Sequence, residues 1–227
     1  MFVLAIDTAL AACSAAVLDT GFGTILASES LPMTRGHAEA LMPLIARVME
    51  ASGIAFADLD RVAVTSGPGS FTGLRVGIAA ARGIALAAER PAVGISTLSA
   101  YAAPHIAEDD TIPVIAAIDA RHEHVYLQVF APAGRTFTAP RLAPLSEAVR
   151  TAAEMRSCIV GSAAHAVAAG LTESDIKPAM IDARAAPDIA WVARMGAVVP
   201  EDQSPAKPLY LRAPDAQPQN AAQLPRR

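Results

Sequence analysis

The stretch VAVTSGPGSFTGLRVGIAAARGIALAA, residues 62–88, decides how the rest of the chain is read. Val62, Val64 and Thr65 are β-branched and suit a buried strand, which Ser66-Gly67-Pro68-Gly69 ends by combining backbone freedom with a fixed φ. Ser70 is placed to cap a helix by accepting from an N–H of its first turn, and an apolar run continues from Phe71 to about Ala88. Within that helix Gly73, Gly77 and Ala81 recur every four residues and make one flat stripe. An interior glycine costs roughly 1 kcal/mol against alanine, so two of them imply that something approaches this face closely. A strand, glycine turn and helix start would also suit a phosphate, but a phosphate loop needs Lys then Ser or Thr at the helix start. Gly69-Ser70-Phe71-Thr72-Gly73-Leu74 has no lysine, which leaves a packing helix after a tight turn.

Composition sets the outer bounds. A hydrophobic fraction of 53% and a mean hydropathy of +0.36 over 227 residues are ample for a buried core. The chain is rich in alanine and poor in aromatics, so that core is expected to be built of small aliphatic contacts between closely packed helices. Net charge is −4 and the only lysines are Lys177 and Lys207, so the basic footprint of an independent nucleic-acid binder is missing. Cys13 and Cys158 lie too far apart in sequence to suggest a disulfide framework or a zinc site, which fits a reducing cytoplasm. MFVLAIDT has no basic lead, and no stretch approaches ~20 uninterrupted apolar residues; neither secretion nor membrane spanning is expected.

Working outward, residues 2–6, 12–18 and 25–31 read as an antiparallel meander, with a turn at Asp19-Thr20-Gly21-Phe22-Gly23. Ala38, Leu41, Met42, Ile45, Val48 and Met49 then fall on one face of a helix that Pro43 should kink. After the central strand and helix come a short strand at 92–95 and a helix to His105, giving the order βββαβαβα. The acidic, proline-bounded stretch 108–113 marks a boundary, and VIAAID at 114–119 then resembles FVLAID at 2–7. A second strand at 123–130, a third near Thr136, a helix at 146–155, a strand at 158–160, a helix at 163–169, a short strand at Met180-Ile181 and a helix at 188–198 repeat the order. The expected organisation is therefore two similar α/β halves, 1–108 and a reduced copy at 109–212 whose last helix and strand could pack back on the first. A disordered tail is expected from Ala213 onward.

Two halves that each open with a strand ending in aspartate would set Asp7 and Asp119 facing one another across a cleft, as in actin, sugar kinases and Hsp70. In those nucleotide binders a small, glycine-bearing hairpin follows each aspartate. Here Asp7-Thr8-Ala9-Leu10 is tolerable, whereas Asp119-Ala120-Arg121-His122-Glu123-His124 places bulky groups in the second hairpin. Asp7, Thr8 and Asp119 therefore read as a vestigial nucleotide cleft. His122 and His124 would alternate on a strand and share a face, but no third ligand accompanies them. His37 opens a helix on which a zinc pair would need a second histidine four residues on, where Leu41 stands. Ser66, Ser70 and Cys13 have no histidine within local reach. The glycine stripe keeps two readings: a surface for another subunit, or a contact with the chain's own sheet.

The residues that resemble a known family are IDT at 6–8, HAEALMPLI at 37–45, SGPGSFTGLRVGIAAARGIA at 66–85, DAR at 119–121 with Val125-Tyr126, and PLYLR at 208–212. They are similar to the TsaB (YeaZ) family, paralogous to TsaD. The resemblance implies an actin-like (ASKHA) fold and a non-catalytic subunit in making the threonylcarbamoyl modification of the adenosine beside the anticodon of tRNAs reading ANN codons. It implies pairing with itself or with a TsaD-like paralogue through the first two helices, and joining a TsaE-like P-loop ATPase. Contact with tRNA is then indirect, and the chain needs no cofactor, with weak ATP or ADP binding only within the complex. Carried onto this chain, the partner surface comprises His37, Leu41, Met42 and Ile45 from the first helix and Gly73, Leu74, Val76 and Gly77 from the second. The absent second histidine also argues against the metallopeptidase activity that the glycoprotease-like label of such proteins suggests. The main rival reading is an actin-like ATPase or small-molecule kinase acting through Asp7 and Asp119.

Overall fold

A computed structural model describes residues 1–172 and 175–212. The tail expected from Ala213 lies outside the described residues. Two five-stranded sheets dominate, and in each the strands lie in the order third, second, first, fourth, fifth of its half. The two orders are identical, so the likeness of FVLAID to VIAAID reflects a repeated topology. The fold is α/β and actin-like, with the order βββαβαβα occurring twice.

The first sheet is built from β1 (Phe2–Asp7), β2 (Ala12–Asp19), β3 (Thr24–Pro32), β4 (Arg61–Gly67) and β5 (Ala92–Ser96). β1 pairs antiparallel with β2 and parallel with β4, and its residues from Val3 on are fully buried. A strand covered on both faces needs apolar side chains in both directions, which is why β1 reads as a continuous run without alternation. One face, through Leu4, Ile6, Val62 and Val64, packs against α1 (His37–Ser52) and α2 (Phe71–Ala87). The other face, through Val3, Ala5, Ala63 and Val93, packs against α6 (Ile189–Val198) and the start of α3 (Thr97–Glu108). The small residues of this face let α6 come close: a Cβ on Gly196 would lie 2.2 Å from that of Ala63.

The second sheet comprises β6 (Val114–Asp119), β7 (His124–Phe130), β8 (Arg141–Pro144), β9 (Cys158–Val160) and β10 (Met180–Asp182). Ile115, Ala117, Leu127 and Ile159 face α4 (Leu145–Glu154) and α5 (Ala164–Ala169). Val114, Ala116, Ile118 and Val160 face Leu98, Tyr101 and Ala102 of α3, which thus lies between the sheets. At α2, α3 and α6 the helix start is capped by a side chain, with Ser70, Ser96 and Asp188 each accepting from a first-turn N–H. α1 runs on through Pro43, because the carbonyl that loses its partner belongs to Glu39 on the exposed side, where water can serve it. The strand expected near Thr136 is only an isolated bridge to Phe130; β8 begins later, beyond Pro140, which has no N–H to give a ladder. The piece at 209–212 is likewise no strand, yet its side chains tie it to both halves.

Candidate functional site

The two aspartates expected to face each other differ completely in setting. Asp7 is fully buried. Its Oδ1 accepts from Thr65 Oγ1 at 2.5 Å and from Ala9 N at 3.0 Å, while Oδ2 is buried without a partner among the described residues. Burial pushes its carboxyl above the usual carboxylate range, against the pull of those two hydrogen bonds. Asp119 is exposed, and its Oδ1 accepts from Arg121 N at 2.8 Å. Of the three residues read as a vestigial nucleotide cleft, Asp7 and Thr8 are sealed, 0% and 1% exposed, and only Asp119 reaches solvent.

The glycine stripe is what seals them. The β1–β2 loop is laid against α2, where Thr8 Oγ1 donates to Gly73 O at 2.7 Å and Ser70 N donates to Ala9 O at 2.7 Å. A Cβ on Gly73 would lie 2.1 Å from Thr8 O, and one on Gly77 2.4 Å from Thr8 Oγ1. The glycines serve the chain's own hairpin. Most of the expected partner residues share that inward orientation: Leu41, Ile45, Leu74, Gly73 and Gly77 are buried in the monomer. His37 is buried as well, with Nε2 bonded to Leu10 O at 3.1 Å, and Val76 is half-covered against the same core. Of the eight, Met42 alone is exposed, at 49%. The reason is that hydrophobic periodicity marks the face that is buried, and here that face belongs to the sheet.

The outward side of the same two helices carries a different set. Met42 stands there on α1, with Ala79, Gly83 and Leu86 on α2. Among the described residues Gly83 has nothing within 4 Å of where a Cβ would be, so no contact there accounts for a glycine in mid-helix. Sequence reasoning missed it, although the signal was present. Six residues beyond Gly77, it sits about 240° round the helix from the stripe.

The second hairpin is held open. Arg121, His122 and Glu123 are consecutive non-glycine residues with φ of 63°, 51° and 58°. Such left-handed geometry costs roughly 1–2 kcal/mol per residue and is rarely sustained. His122 therefore lies in the turn before β7 and does not alternate with His124 on a strand; instead His124 Nδ1 bonds to His122 O at 2.6 Å. Among the described residues no group of three or more His, Cys, Asp or Glu could hold a metal ion.

A C-terminal strap joins the halves. Gly94 N donates to Ser204 O, and Leu209 N to Ser66 O. Tyr210 stacks on Phe71 at 5.0 Å and accepts from Arg75 Nε at 3.0 Å, and the Arg75 guanidinium lies 3.7 Å over the Phe71 ring. Arg212 Nη1 then donates to Ala120 O at 3.0 Å, which anchors the strained hairpin to the first half. Deeper between the sheets, His105 Nε2 bonds Asp182 Oδ2 at 3.0 Å, and Tyr101 Oη donates to Arg184 O. The Arg184 guanidinium holds the Asp182 carboxyl below its usual range.

Two repeated sheets, with helices on their outer faces and a shared helix between them, define a protein of the actin-like class. A structure of EutJ from Carboxydothermus hydrogenoformans agrees in fold alone, with a TM-score of 0.50 at 13% identity. Two Pseudomonas aeruginosa structures are nearer. One, described as a protein with similarity to peptidase YEAZ, is 28% identical with a TM-score of 0.75 and coverage of 93% of this chain and 99% of that one. The other, YeaZ, has a TM-score of 0.72. The family model for TsaD, tRNA N6-adenosine threonylcarbamoyltransferase, matches residues 24–155. The chain belongs to this family, in its TsaB (YeaZ) branch. The Escherichia coli tRNA threonylcarbamoyladenosine biosynthesis protein TsaB is 42% identical over 126 residues, 56% of this chain and 53% of that protein. The match thus spans about half of that relative's length, and likewise 51% of the Haemophilus influenzae TsaB. An uncharacterized Mycobacterium bovis protein is 33% identical across 95% of this chain and 94% of its own. No helix among the described residues is long and apolar enough to cross a membrane.

Proposed function

We propose that this chain is a non-catalytic, activating subunit in tRNA threonylcarbamoyladenosine biosynthesis, docking a TsaD-like paralogue through the outward face of α1 and α2. Relatives named for that biosynthesis support the pathway. The observation that carries the docking reading is Gly83, a mid-helix glycine facing open space on the exposed side of α2, one turn from exposed Leu86. In the monomer it costs roughly 1 kcal/mol for nothing, whereas in a helix-to-helix contact it permits close approach. The sealed Asp7 supports a non-catalytic role, since the carboxylate that an actin-like enzyme would present to nucleotide is buried under Thr65 and the β1–β2 loop. In this reading the chain brings no metal or nucleotide of its own, pairs with a second copy when alone, and meets tRNA and a TsaE-like P-loop ATPase only through the complex.

Reconstitution tests it. Added to the paralogue, the TsaE-like ATPase and the enzyme making threonylcarbamoyl-adenylate, the chain should switch on modification of tRNA; equal product with and without it would defeat the proposal. Gly83→Leu should keep the fold and block association. Tight binding of ATP and magnesium to the chain alone, with turnover, would instead favour an ATPase.

A further inference from the structure

We infer that the C-terminal half of α2 carries a carboxylate-recognition notch, in which Arg82 and Arg90 receive an aspartate or glutamate of the docked partner beside Leu86. This rests on the docking reading above and assigns that surface its chemistry. Arg82, Gly83, Ala85, Leu86, Arg90 and Ala92 line a concavity of about 440 Å³ at the end of the helix. Leu86 is 81% exposed at its rim. Neither arginine side chain has a carboxylate partner or a hydrogen bond among the described residues, and Glu89, between them, forms no ion pair with either. Arg47, Arg61, Arg141 and Arg184, by contrast, each pair with a carboxylate of this chain.

The backbone is bent to place Arg90 there. Glu89 has a φ of 56°, Glu89 N donates to Leu86 O at 3.2 Å, and Arg90 N donates to Ala85 O at 2.8 Å. That is the hydrogen-bond pattern with which helices turn back at their C-termini, and it normally uses glycine at the position held here by Glu89. The turn folds Arg90 back toward Ala85, on the side of Arg82. The last carbonyls of α2 present roughly half a negative charge and would repel an anion. Two full guanidinium charges outweigh them, and guanidinium forks match carboxylate geometry. Leu86 and the small walls at Gly83 and Ala85 call for an apolar neighbour next to the acid, which a protein segment supplies and a phosphodiester backbone does not.

The test uses the full chain and the paralogue of the same organism, with affinity measured by titration at low and high salt. Arg82→Glu with Arg90→Glu should weaken association by about tenfold or more and flatten its salt dependence. Both positions are exposed, so the variant should keep the wild-type melting temperature. The Arg82→Gln, Arg90→Gln pair should fall between. If the reversed variant binds like wild type while Gly83→Leu does not, the notch is refuted and the docking surface stands. If Gly83→Leu also binds like wild type, or the wild-type pair does not associate, both fall. Binding of unmodified tRNA by the chain alone, lost on charge reversal, would overturn the carboxylate in favour of phosphate.

Discussion

The hairpins after β1 and β6 occupy equivalent places in two sheets of identical strand order, yet one is sealed and the other open. The helix that comes after the fourth strand of each half makes the difference. In the first half β4 leads through Gly67 to Ser70 into a 17-residue helix whose Gly73 and Gly77 receive Thr8. In the second half β9 leads through Gly161 and Ser162 into α5, which has only 6 residues. Gly161 lies against β6 and not against its hairpin, since a Cβ there would lie 2.3 Å from Ala117 O, and Ser162 Oγ accepts from Asp119 N at 3.0 Å. Without a long glycine-bearing helix to lie against, the second hairpin keeps its bulky residues in solvent. Repeated topology thus fixes where a loop is, while the neighbouring helix decides whether it is accessible.

The comparison can be broken most sharply at Gly73. Gly73→Ala drives a methyl into the Thr8 carbonyl and should lower stability by about 3 kcal/mol in urea unfolding; an unchanged midpoint would mean that the first hairpin is not held by α2. Asp7→Asn comes next. Because burial raises the Asp7 pKa in the folded state, the native state holds a proton that the unfolded chain has released, so wild-type stability should fall as pH rises from about 4 toward that folded value. Asparagine should flatten this slope and stabilise the protein at neutral pH. Stability profiles of the two proteins that stay parallel would show the site to be hydrated. Gly83→Ala, on the open side of the same helix as Gly73, should stabilise the monomer by up to ~1 kcal/mol, measured by thermal melting. Arg212→Ala should cost about 1 kcal/mol or less and speed amide exchange at Ala120 and His124, leaving α1 unaffected. Asp119→Asn, the exposed counterpart of Asp7→Asn, should change stability by no more than about 0.5 kcal/mol at any pH, and a larger shift would show that its hairpin is tighter than its exposure implies.

Much of the fold was legible from the sequence. The run from Val62 to Ala88 announces strand, turn and helix through residues whose preferences are local: β-branched side chains, a Gly-Pro-Gly turn and a serine cap. The repeat of FVLAID in VIAAID carries the duplication. Most residues that the resemblance assigns to a partner surface lie buried within this chain; the small-residue stripe on α2 says that something comes close without saying what. Leu41, Ile45 and Leu74 belong to the core that their periodicity marks. The turn at His122 is not legible in the sequence, because nothing in Arg121-His122-Glu123 announces a left-handed turn without glycine.

The sequence by itself determined the element order, the serine cap of α2, the repeat and the family, since these rest on the intrinsic preferences of neighbouring residues and on shared motifs. Only the tertiary structure decided which face of α2 meets the β1–β2 loop, that Asp7 is buried while Asp119 is not, and that Arg212 reaches Ala120. Those outcomes depend on groups far apart in the chain, and a close approach constrains both partners at once. A glycine read alone reveals the vacancy; the structure reveals what fills it.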